Sequence, residues 1–254
     1  MLVALGIACA ASCAAPSIVD EELPVGFRLP DRSAGDSTSD AAPDDVTTAP
    51  PPVDSAPDAP TQAALCSAPD LVLCFGFEGA VVDGSPNALV PTLSGVSFVP
   101  GKSGQAASFG PLSAMRFAAA PAFEVTTATI EAWVKLAANP PGDGVVFDDD
   151  NRASLTILAD GTLLCKPTGV PSTGKVVVGQ WSHVACVFDG ANVRAYVNGT
   201  EVGSGAGVIG SSPTSTAALG GNAPSGEPFV GAIDSFRVFK TARTAAQITA
   251  AAAP

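Results

Sequence analysis

A turn formed by Asn198 and Gly199 constrains the fold more than any other feature of this chain. It lies in the segment Gln180–Val202, whose sequence is QWSHVACVFDGANVRAYVNGTEV. Asn-Gly between alternating apolar residues is the strongest short-range signal for a β-hairpin, because both turn residues must adopt positive φ angles. The segment therefore predicts two strands joined by a turn, with a third strand following Asn198-Gly199.

Short apolar runs separated by turn residues recur along the chain from Leu71 onward. With 26 glycines and 23 prolines, turns are frequent and elements short, so we predict an all-β fold, a two-sheet antiparallel jelly-roll sandwich. In Ala128–Leu136 strict alternation puts Trp133 opposite the apolar face. The slipped alternation between Ile233 and Phe236 indicates a bulge. Further strands are predicted at Leu71–Phe77, Val96–Val99, Ala106–Phe109, Met115–Phe117, Val145–Phe147, Ser154–Leu158, Thr162–Lys166, Ala217–Gly221 and Phe229–Phe239, and a short helix begins at Thr244.

The charge distribution divides the chain into three parts. The net charge is −12, which argues against a nucleic-acid partner, since phosphates need neutralisation by Lys and Arg. Ten acidic and two basic side chains fall in residues 14–64. Residues 17–64 are rich in Asp, Ala, Pro, Ser and Thr and have almost no aromatic residues, which predicts a disordered linker. We expect an export-signal remnant at 1–16 and one folded domain at 65–254.

The first sixteen residues, MLVALGIACAASCAAP, resemble the apolar part of a bacterial export signal. Small residues that run directly into a cysteine are similar to a lipoprotein signal, which would place the lipid on Cys13 or, as the alternative, on Cys9. An ordinary secretory signal cut near Ala14-Ala15 remains the other interpretation. The predicted location is therefore the outer membrane, through the lipid anchor alone, or the outside of a bacterial cell.

Six cysteines form three close pairs, of which Cys66 with Cys74 and Cys165 with Cys186 lie in the folded part. The cysteines do not indicate a zinc site, because no CxxC spacing occurs and the chain has one histidine. The four later cysteines suit disulfides in an oxidising compartment. Cys165 and Cys186 lie on strands that we expect to pair with each other, although crosswise pairing of the four stays open.

Six short motifs, taken together, resemble the laminin-G-like, concanavalin A-like jelly-roll domains of bacterial secreted proteins and lipoproteins. The resemblance covers residues 65–250 and keeps the order of the family's motifs. It implies the jelly-roll fold and leaves the function open, because this superfamily includes carbohydrate-binding modules, adhesion domains and glycosidases. The motifs are Phe75–Glu78, Gly104–Phe109, Thr129–Lys135, Gln180–Ala185, Tyr196–Gly199 and Phe229–Asp234.

The main functional hypothesis is a non-catalytic binding module for a glycan or a protein at the cell surface, which binds through rim loops. A structural or adhesion component of the envelope is the first alternative. A glycoside hydrolase is the second, but a retaining enzyme needs two carboxylates about 5–5.5 Å apart. Glu131 and Asp234 each stand alone in their strands, and the paired-carboxylate signature of the laminarinase-like enzymes is missing.

A structural calcium ion is the predicted cofactor. In folds that this chain resembles, the first and last strands lie side by side and share a cation, which would place Glu78 and Asp234 together. Asp83 and Asn87 in the adjoining turn would complete an oxygen-rich ligand set. The alternative is that Asp83 and Asn87 only form hydrogen bonds within their own turn.

Three other features carry competing interpretations. Trp133 is the candidate ligand-stacking residue, with packing as the alternative. The resemblance implies that His183 is a framework residue whose ring nitrogen bonds to the backbone. The run Asp148–Asn151 is expected to form a solvated, self-repelling turn rather than a cation site.

Overall fold

The computed structural model describes residues 61–150, 152–167, 169–170, 172–214, 216–222 and 226–253. The predicted export signal, the lipidation candidates Cys13 and Cys9, and the linker up to residue 60 lie outside these residues. No helix in the described part of the chain is long and apolar enough to cross a membrane.

The described chain is built almost entirely from short strands, as the alternating apolar runs predict. The strands are β1 Leu71–Phe75, β2 Thr92–Ser94, β3 Ser97–Pro100, β4 Gln105–Phe109, β5 Ala114–Phe117, β6 Ala128–Leu136, β7 Gly144–Asp148, β8 Ser154–Ile157, β9 Leu163–Lys166, β10 Ser182–Phe188, β11 Asn192–Val197, β12 Thr200–Ala206, β13 Ala217–Leu219 and β14 Gly231–Phe239. The helices are α1 Gln62–Leu65, a 3-10 helix at Pro121–Phe123, and α2 Ala245–Ala251.

Two antiparallel sheets form the sandwich, which confirms the predicted fold class. The eight-stranded sheet has the order β12-β11-β10-β6-β14-β4-β3, with β1 paired to β14. The six-stranded sheet has the order β2-β5-β13-β7-β8-β9. Apolar side chains from the inner faces of both sheets form one core, whose largest fully buried members include Phe75, Phe147 and Phe236. Burial of alternate residues is what holds each strand in its register.

The hairpin and bulge predicted from local sequence are present. Asn198 and Gly199 have φ angles of 49° and 78°. The Asn198 side chain ties this turn to the neighbouring strand β10, since its Oδ1 accepts from the His183 N–H at 2.9 Å. The bulge in β14 lies between Asp234 and Arg237, and Ser235 has a φ angle of 50°.

The helix α2 covers part of the outward face of the eight-stranded sheet. Thr244 and Gln247 form the predicted capping box at its start. Ile248 is fully buried and packs against Ala185, Val187 and Tyr196 of strands β10 and β11. The part of the outward face under α2 therefore belongs to a second, small core.

Both disulfides form as Cys66–Cys74 and Cys165–Cys186. The expectation that Cys165 and Cys186 lie on paired strands is wrong, because β9 and β10 belong to different sheets. Their disulfide crosses the core and ties the two sheets together. It closes a loop with a sequence separation of 21 residues, which corresponds to roughly 3 kcal/mol in the chain-entropy estimate.

Candidate functional site

A line of mostly polar side chains crosses the outward face of the six-stranded sheet. Cross-strand partners lie on the same face of a sheet, so the strand register defines this line directly. One member comes from each of the six strands, and we call the line the polar row. In order across the sheet, it consists of Thr92, Arg116, Ala218, Asp148, Ser154 and Lys166.

Alternation along each strand explains why these side chains point away from the core. Met115 and Phe117 flank Arg116 and lie in the core. Leu155, the residue after Ser154, also lies in the core. Thr156 lies beside the row on the outward face of β8, with its hydroxyl 3.2 Å from that of Ser154. The sequence therefore assigns polar residues to the outward face and apolar residues to the inward face.

The centre of the polar row is recessed, although it faces away from the core. Ala218 and Thr156 have no exposed surface, Ser154 is 1% exposed and Asp148 is 2% exposed. An open, flat sheet face would leave such short side chains partly exposed to solvent. These four residues are therefore covered by neighbouring groups, and we call them the floor of the polar row.

Asn222 and Glu227 form one wall beside this floor. The Arg116 guanidinium donates through Nη1 to the carbonyl of Asn222 at 3.1 Å. The Asn222 amide donates to Glu227 Oε2 at 2.9 Å, while its Oδ1 is buried with no hydrogen-bond partner among the described residues. Arg116 has five N–H donors, and this bond uses one of them among the described residues.

The opposite end of the row carries an ion pair between Lys166 Nζ and Asp143 Oδ2 at 3.1 Å. Together with Arg116, Asp148 and Glu227, these groups present both signs of charge around hydroxyl-bearing Ser154 and Thr156. Such a mixture of donors and acceptors suits a ligand with many hydroxyl groups. It offers no excess of positive charge for a strongly anionic one.

A buried ion pair directly behind the row holds the turn between β7 and β8. Arg152 donates to Asp149 Oδ2 at 2.6 Å, to the Phe123 carbonyl at 2.6 Å and to Glu124 Oε1 at 3.2 Å. Its Nη1 also lies 3.3 Å from the Gly210 carbonyl. The prediction of a solvated turn here is wrong, because Asp148 and Asp149 are only 2% and 5% exposed. Arg152 compensates the buried charge of Asp149 and thereby positions Asp148 and Ser154 on the floor.

Burial raises the pKa of Asp149 from 3.8 to about 6, although the Arg152 charge and hydrogen bond oppose this increase. Its Oδ1 has no hydrogen-bond partner among the described residues, and the side chain borders a narrow crevice lined by Val72, Phe123 and Ile130. The native state therefore binds the Asp149 proton more tightly than the unfolded chain does. The resulting stabilisation is complete below pH 3.8 and is lost as the pH rises through 6.

Replacing Asp149 with asparagine should remove this pH dependence. Two pKa units correspond to about 3 kcal/mol, so the wild-type free energy of unfolding should fall relative to that of Asp149→Asn by up to this amount between pH 4 and 7. Urea unfolding of both proteins at several pH values measures the difference. Parallel pH profiles would contradict the assignment, and Asp160→Asn, at an exposed ion pair, is the control.

The four predicted calcium ligands lie in two separate places. Asp83 accepts from the N–H groups of Cys74, Ser85 and Leu89 at 2.8–2.9 Å, and the Asn87 amide donates to the carbonyls of Leu71 and Val72. These two residues therefore brace the first strand and its turn. The alternative of hydrogen bonds within their own turn holds only in part, because Asp83 also accepts from Cys74 and the Asn87 amide reaches Leu71 and Val72 of the first strand.

Glu78 and Asp234 do come together, on the turn between β3 and β4. Asp234 Oδ2 accepts from the N–H groups of Lys102 and Ser103 at 2.9 and 3.1 Å, and Glu78 Oε2 accepts from Gln105 N–H at 3.0 Å. Burial raises the pKa of Asp234, against these hydrogen bonds. Since these oxygens face N–H donors and the described residues contain no cluster of three or more metal-ligating side chains, the four residues do not fit one shared ion. Calcium binding stays a prediction.

Trp133 lies on the outward face of the eight-stranded sheet, whereas the polar row lies on the six-stranded sheet. Lys102 Nζ lies 4.7 Å from its ring centroid, and the His183 ring meets it edge-on at 5.6 Å. These contacts occupy the ring and are those expected of a packed residue. Its predicted role in ligand stacking stays a prediction.

His183 is buried, but its ring does not bond to the backbone as the resemblance implies. Both ring nitrogens are without a hydrogen-bond partner among the described residues. Burial, together with the charges of Arg237 and Arg243, lowers the pKa of His183 to about 3. The ring is therefore neutral at physiological pH and acts as a packing residue against Trp133.

Glu131 lies on the same outward face and is completely buried. Arg237 Nη2 is 2.6 Å from Glu131 Oε1, and Arg243 Nε is 3.9 Å from Oε2. Burial raises the pKa of Glu131, against the lowering effect of the two arginines. This ionic cluster and α2 fill that part of the face with structural contacts.

Sequence reasoning did not find Arg116, Ser154, Thr156 or Asn222. The alternation of polar and apolar residues in the segments Ala114–Phe117 and Ser154–Ile157 was a usable signal for their direction. The missing information was the strand order, which brings six distant segments into one line.

Comparison with known proteins agrees with this architecture. A laminin G family model, described as the concanavalin A-like lectin/glucanases superfamily, matches residues 112–249, which is more than half of the chain. The chain belongs to the concanavalin A-like lectin/glucanases superfamily. The search of curated protein sequences returned no match.

Solved structures show that the fold of this concanavalin A-like chain recurs in binding domains. Domain 4 of an extracellular GH43 arabinanase from Geobacillus stearothermophilus, in complex with arabinotriose, is 24% identical with a TM-score of 0.61; the match covers 72% of this chain and 98% of that domain. The binding domain of Paraclostridial Mosquitocidal Protein 1 is 15% identical with a TM-score of 0.58, and the match covers 72% and 52% of the two chains. The botulinum neurotoxin serotype C1 binding domain is 11% identical with a TM-score of 0.56, and covers 72% and 51%. The match thus spans about half of each toxin binding domain.

Proposed function

We propose that this protein is a non-catalytic binding module for a glycan, which it holds on the outward face of the six-stranded sheet, at the polar row. The observation that carries the proposal is the set of polar groups that stay at least partly exposed on this face: the Thr92 hydroxyl, the Arg116 guanidinium and the Lys166–Asp143 ion pair. Sugar hydroxyl groups both donate and accept hydrogen bonds, so they match a surface that offers hydroxyl, guanidinium, ammonium and carboxylate groups. The arabinotriose complex of the similar arabinanase domain supports this ligand class.

A neutral glycan fits the site better than an acidic one. Arg116 and Lys166 supply two positive charges, and Asp143 and Glu227 supply two negative charges. A carboxylated or sulfated sugar would therefore meet no net attraction there. We therefore expect recognition by hydrogen bonds to a neutral oligosaccharide.

Display outside the cell completes the proposal. The two disulfides suit an oxidising compartment, and an anchored, extracellular module could hold a surface or environmental glycan. The lipid anchor at Cys13 or Cys9 remains part of the proposal.

A glycan array that contains neutral, carboxylated and sulfated oligosaccharides tests the ligand class. Titration calorimetry with the strongest neutral binder should then show a dissociation constant raised at least about tenfold in Arg116→Ala, because a hydrogen bond to a charged group is worth about 1.5–3 kcal/mol. Arg194→Ala is the matched control, since that arginine pairs with Asp189 on the other sheet. An array with no neutral binder, or equal affinities for the two variants, would contradict the proposal.

A further inference from the structure

A groove opens on the outward face of the eight-stranded sheet. Ser108 of β4, Ala232 of β14 and Lys135 of β6 are successive cross-strand partners, so they form one row across three strands. Phe109 and Leu136, which follow Ser108 and Lys135 in their strands, lie in the core. The row therefore faces outward, with a hydroxyl group at one end, an ammonium group at the other and only a methyl group between them.

Short side chains leave the space above this row open. The groove has a volume of about 420 Å³, which lies within the range of roughly 300–1,000 Å³ for small-molecule sites. Ala232, Gly231 and Gly179 border it, and a Cβ added at Gly179 would meet nothing within 4 Å. The groove is therefore wide enough to hold a small organic molecule.

The wall of the groove is mostly apolar. Val99 and Pro100 of β3 form one side, and Leu136 and Ala137 lie on the other, where β6 ends. The polar side chains of the lining are the hydroxyl and the ammonium group at the two ends of the row. A ligand that covers this wall therefore gains most from an apolar body, because removing apolar surface from water is favourable.

The charge of Lys135 is available to a ligand. Its side chain is exposed, and none of the ion pairs among the described residues includes it. Asp234 lies on the same face, but it is 1% exposed and accepts hydrogen bonds from the N–H groups of Lys102 and Ser103. Lys102 Nζ in turn lies over the Trp133 ring. The groove therefore combines an apolar wall with one positive charge that no described carboxylate pairs with.

We propose that this groove binds a small organic monoanion with an apolar body, of which a short-chain carboxylate is the simplest example. The Lys135 ammonium group would pair with the carboxylate, and the Ser108 hydroxyl would donate a hydrogen bond to it. Two strand spacings put the Cα atoms of these residues about 10 Å apart, a gap that the long lysine side chain and a carboxylate can bridge. The hydrocarbon chain would lie over Ala232, against Val99 and Pro100.

Charge and the composition of the wall select this class of ligand over others. A cationic ligand would meet repulsion from Lys135, and a neutral one would leave that charge without a partner. A sugar would place hydroxyl groups against the apolar wall, where the lining side chains offer them no hydrogen bond. The groove and the polar row lie on different sheets, so this proposal does not depend on the glycan function.

Titration of hexanoate into the ¹⁵N-labelled, full 254-residue chain tests the proposal. Amide resonances of Ser108, Gly179 and Ala232 should shift, and the shifts give the dissociation constant. Hexan-1-ol lacks the charge and acetate lacks the apolar body, so each should bind at least about tenfold more weakly than hexanoate. Equal affinities for hexanoate and hexan-1-ol, or unchanged resonances around the groove, would overturn the proposal.

Two pairs of variants at exposed positions locate the site without disturbing the core. Lys135→Gln should raise the dissociation constant of hexanoate at least about tenfold and leave that of hexan-1-ol unchanged. Lys240→Gln is its matched control, because Lys240 is exposed and follows β14 at the end away from the groove. Ala137→Trp should block the groove, whereas Ala138→Trp, next to it in the chain, should not. Equal effects within either pair would also overturn the proposal.

Discussion

Replacing Arg152 with alanine should lower the free energy of unfolding at pH 7 by roughly 3–5 kcal/mol, the usual cost of removing one partner of a buried ion pair. The side chains of Arg152 and Asp149 are 5% and 7% exposed, so the remaining carboxylate would lie in a poorly solvated site. The carbonyls of Phe123 and Gly210 would also lose their donor. Three segments would then come apart at one end of the sandwich.

Urea unfolding of wild type and Arg152→Ala at pH 7 and pH 4 measures this effect. The loss should be smaller at pH 4, because Asp149 then takes up a proton instead of remaining an unpaired charge. Lys175→Ala is the control: its ion pair with Asp160 is more than half exposed, so we expect a change below about 1 kcal/mol. A similarly small effect for Arg152→Ala would show that Arg152 does not hold the turn.

Replacing Gly220 with alanine should also destabilise the fold strongly, by about 3 kcal/mol or more. Its φ angle of +86° costs an L-residue about 1–2 kcal/mol. In addition, an added Cβ would lie 2.2 Å from Cδ1 of the Phe109 ring, which is buried in the core. Displacing a core side chain to relieve such overpacking typically lowers the free energy of unfolding by a further amount of about 1–3 kcal/mol.

Gly179→Ala separates the two causes. Gly179 has a similar φ angle of +77°, but an added Cβ would meet nothing within 4 Å. We expect a loss of about 1–2 kcal/mol there, from the backbone alone. Equal losses for the two variants in thermal or urea unfolding would mean that Phe109 relaxes freely, and that the close approach at Gly220 is unimportant.

Features that depend on neighbouring residues were predictable from the sequence. Asn198-Gly199, the alternation of Ala128–Leu136 and the bulge near Ser235 are each encoded within a few residues, because turn type and side-chain direction are local properties. The capping box at Thr244 is another example. Each of these is present where it was predicted.

Features that depend on strand order were not predictable. Cys165 and Cys186 were expected on paired strands, whereas their strands face each other across the core. Asp149 was expected in solvent, since nothing near it in sequence indicates that Arg152 also reaches Phe123 and Gly210. The polar row was not predicted for the same reason, because its members come from six segments whose order only the fold defines.

The central claim is that a neutral glycan binds above the polar row, and chemical-shift mapping tests it most directly. The array's strongest neutral glycan would be titrated into ¹⁵N-labelled protein. We predict that amide resonances of Arg116, Ser154 and Thr156 and of the loop around Asn222 shift, while those around Trp133 stay unchanged. Shifts confined to Trp133, Lys102 and their neighbours on the eight-stranded sheet would contradict the claim and place the binding site on the opposite face.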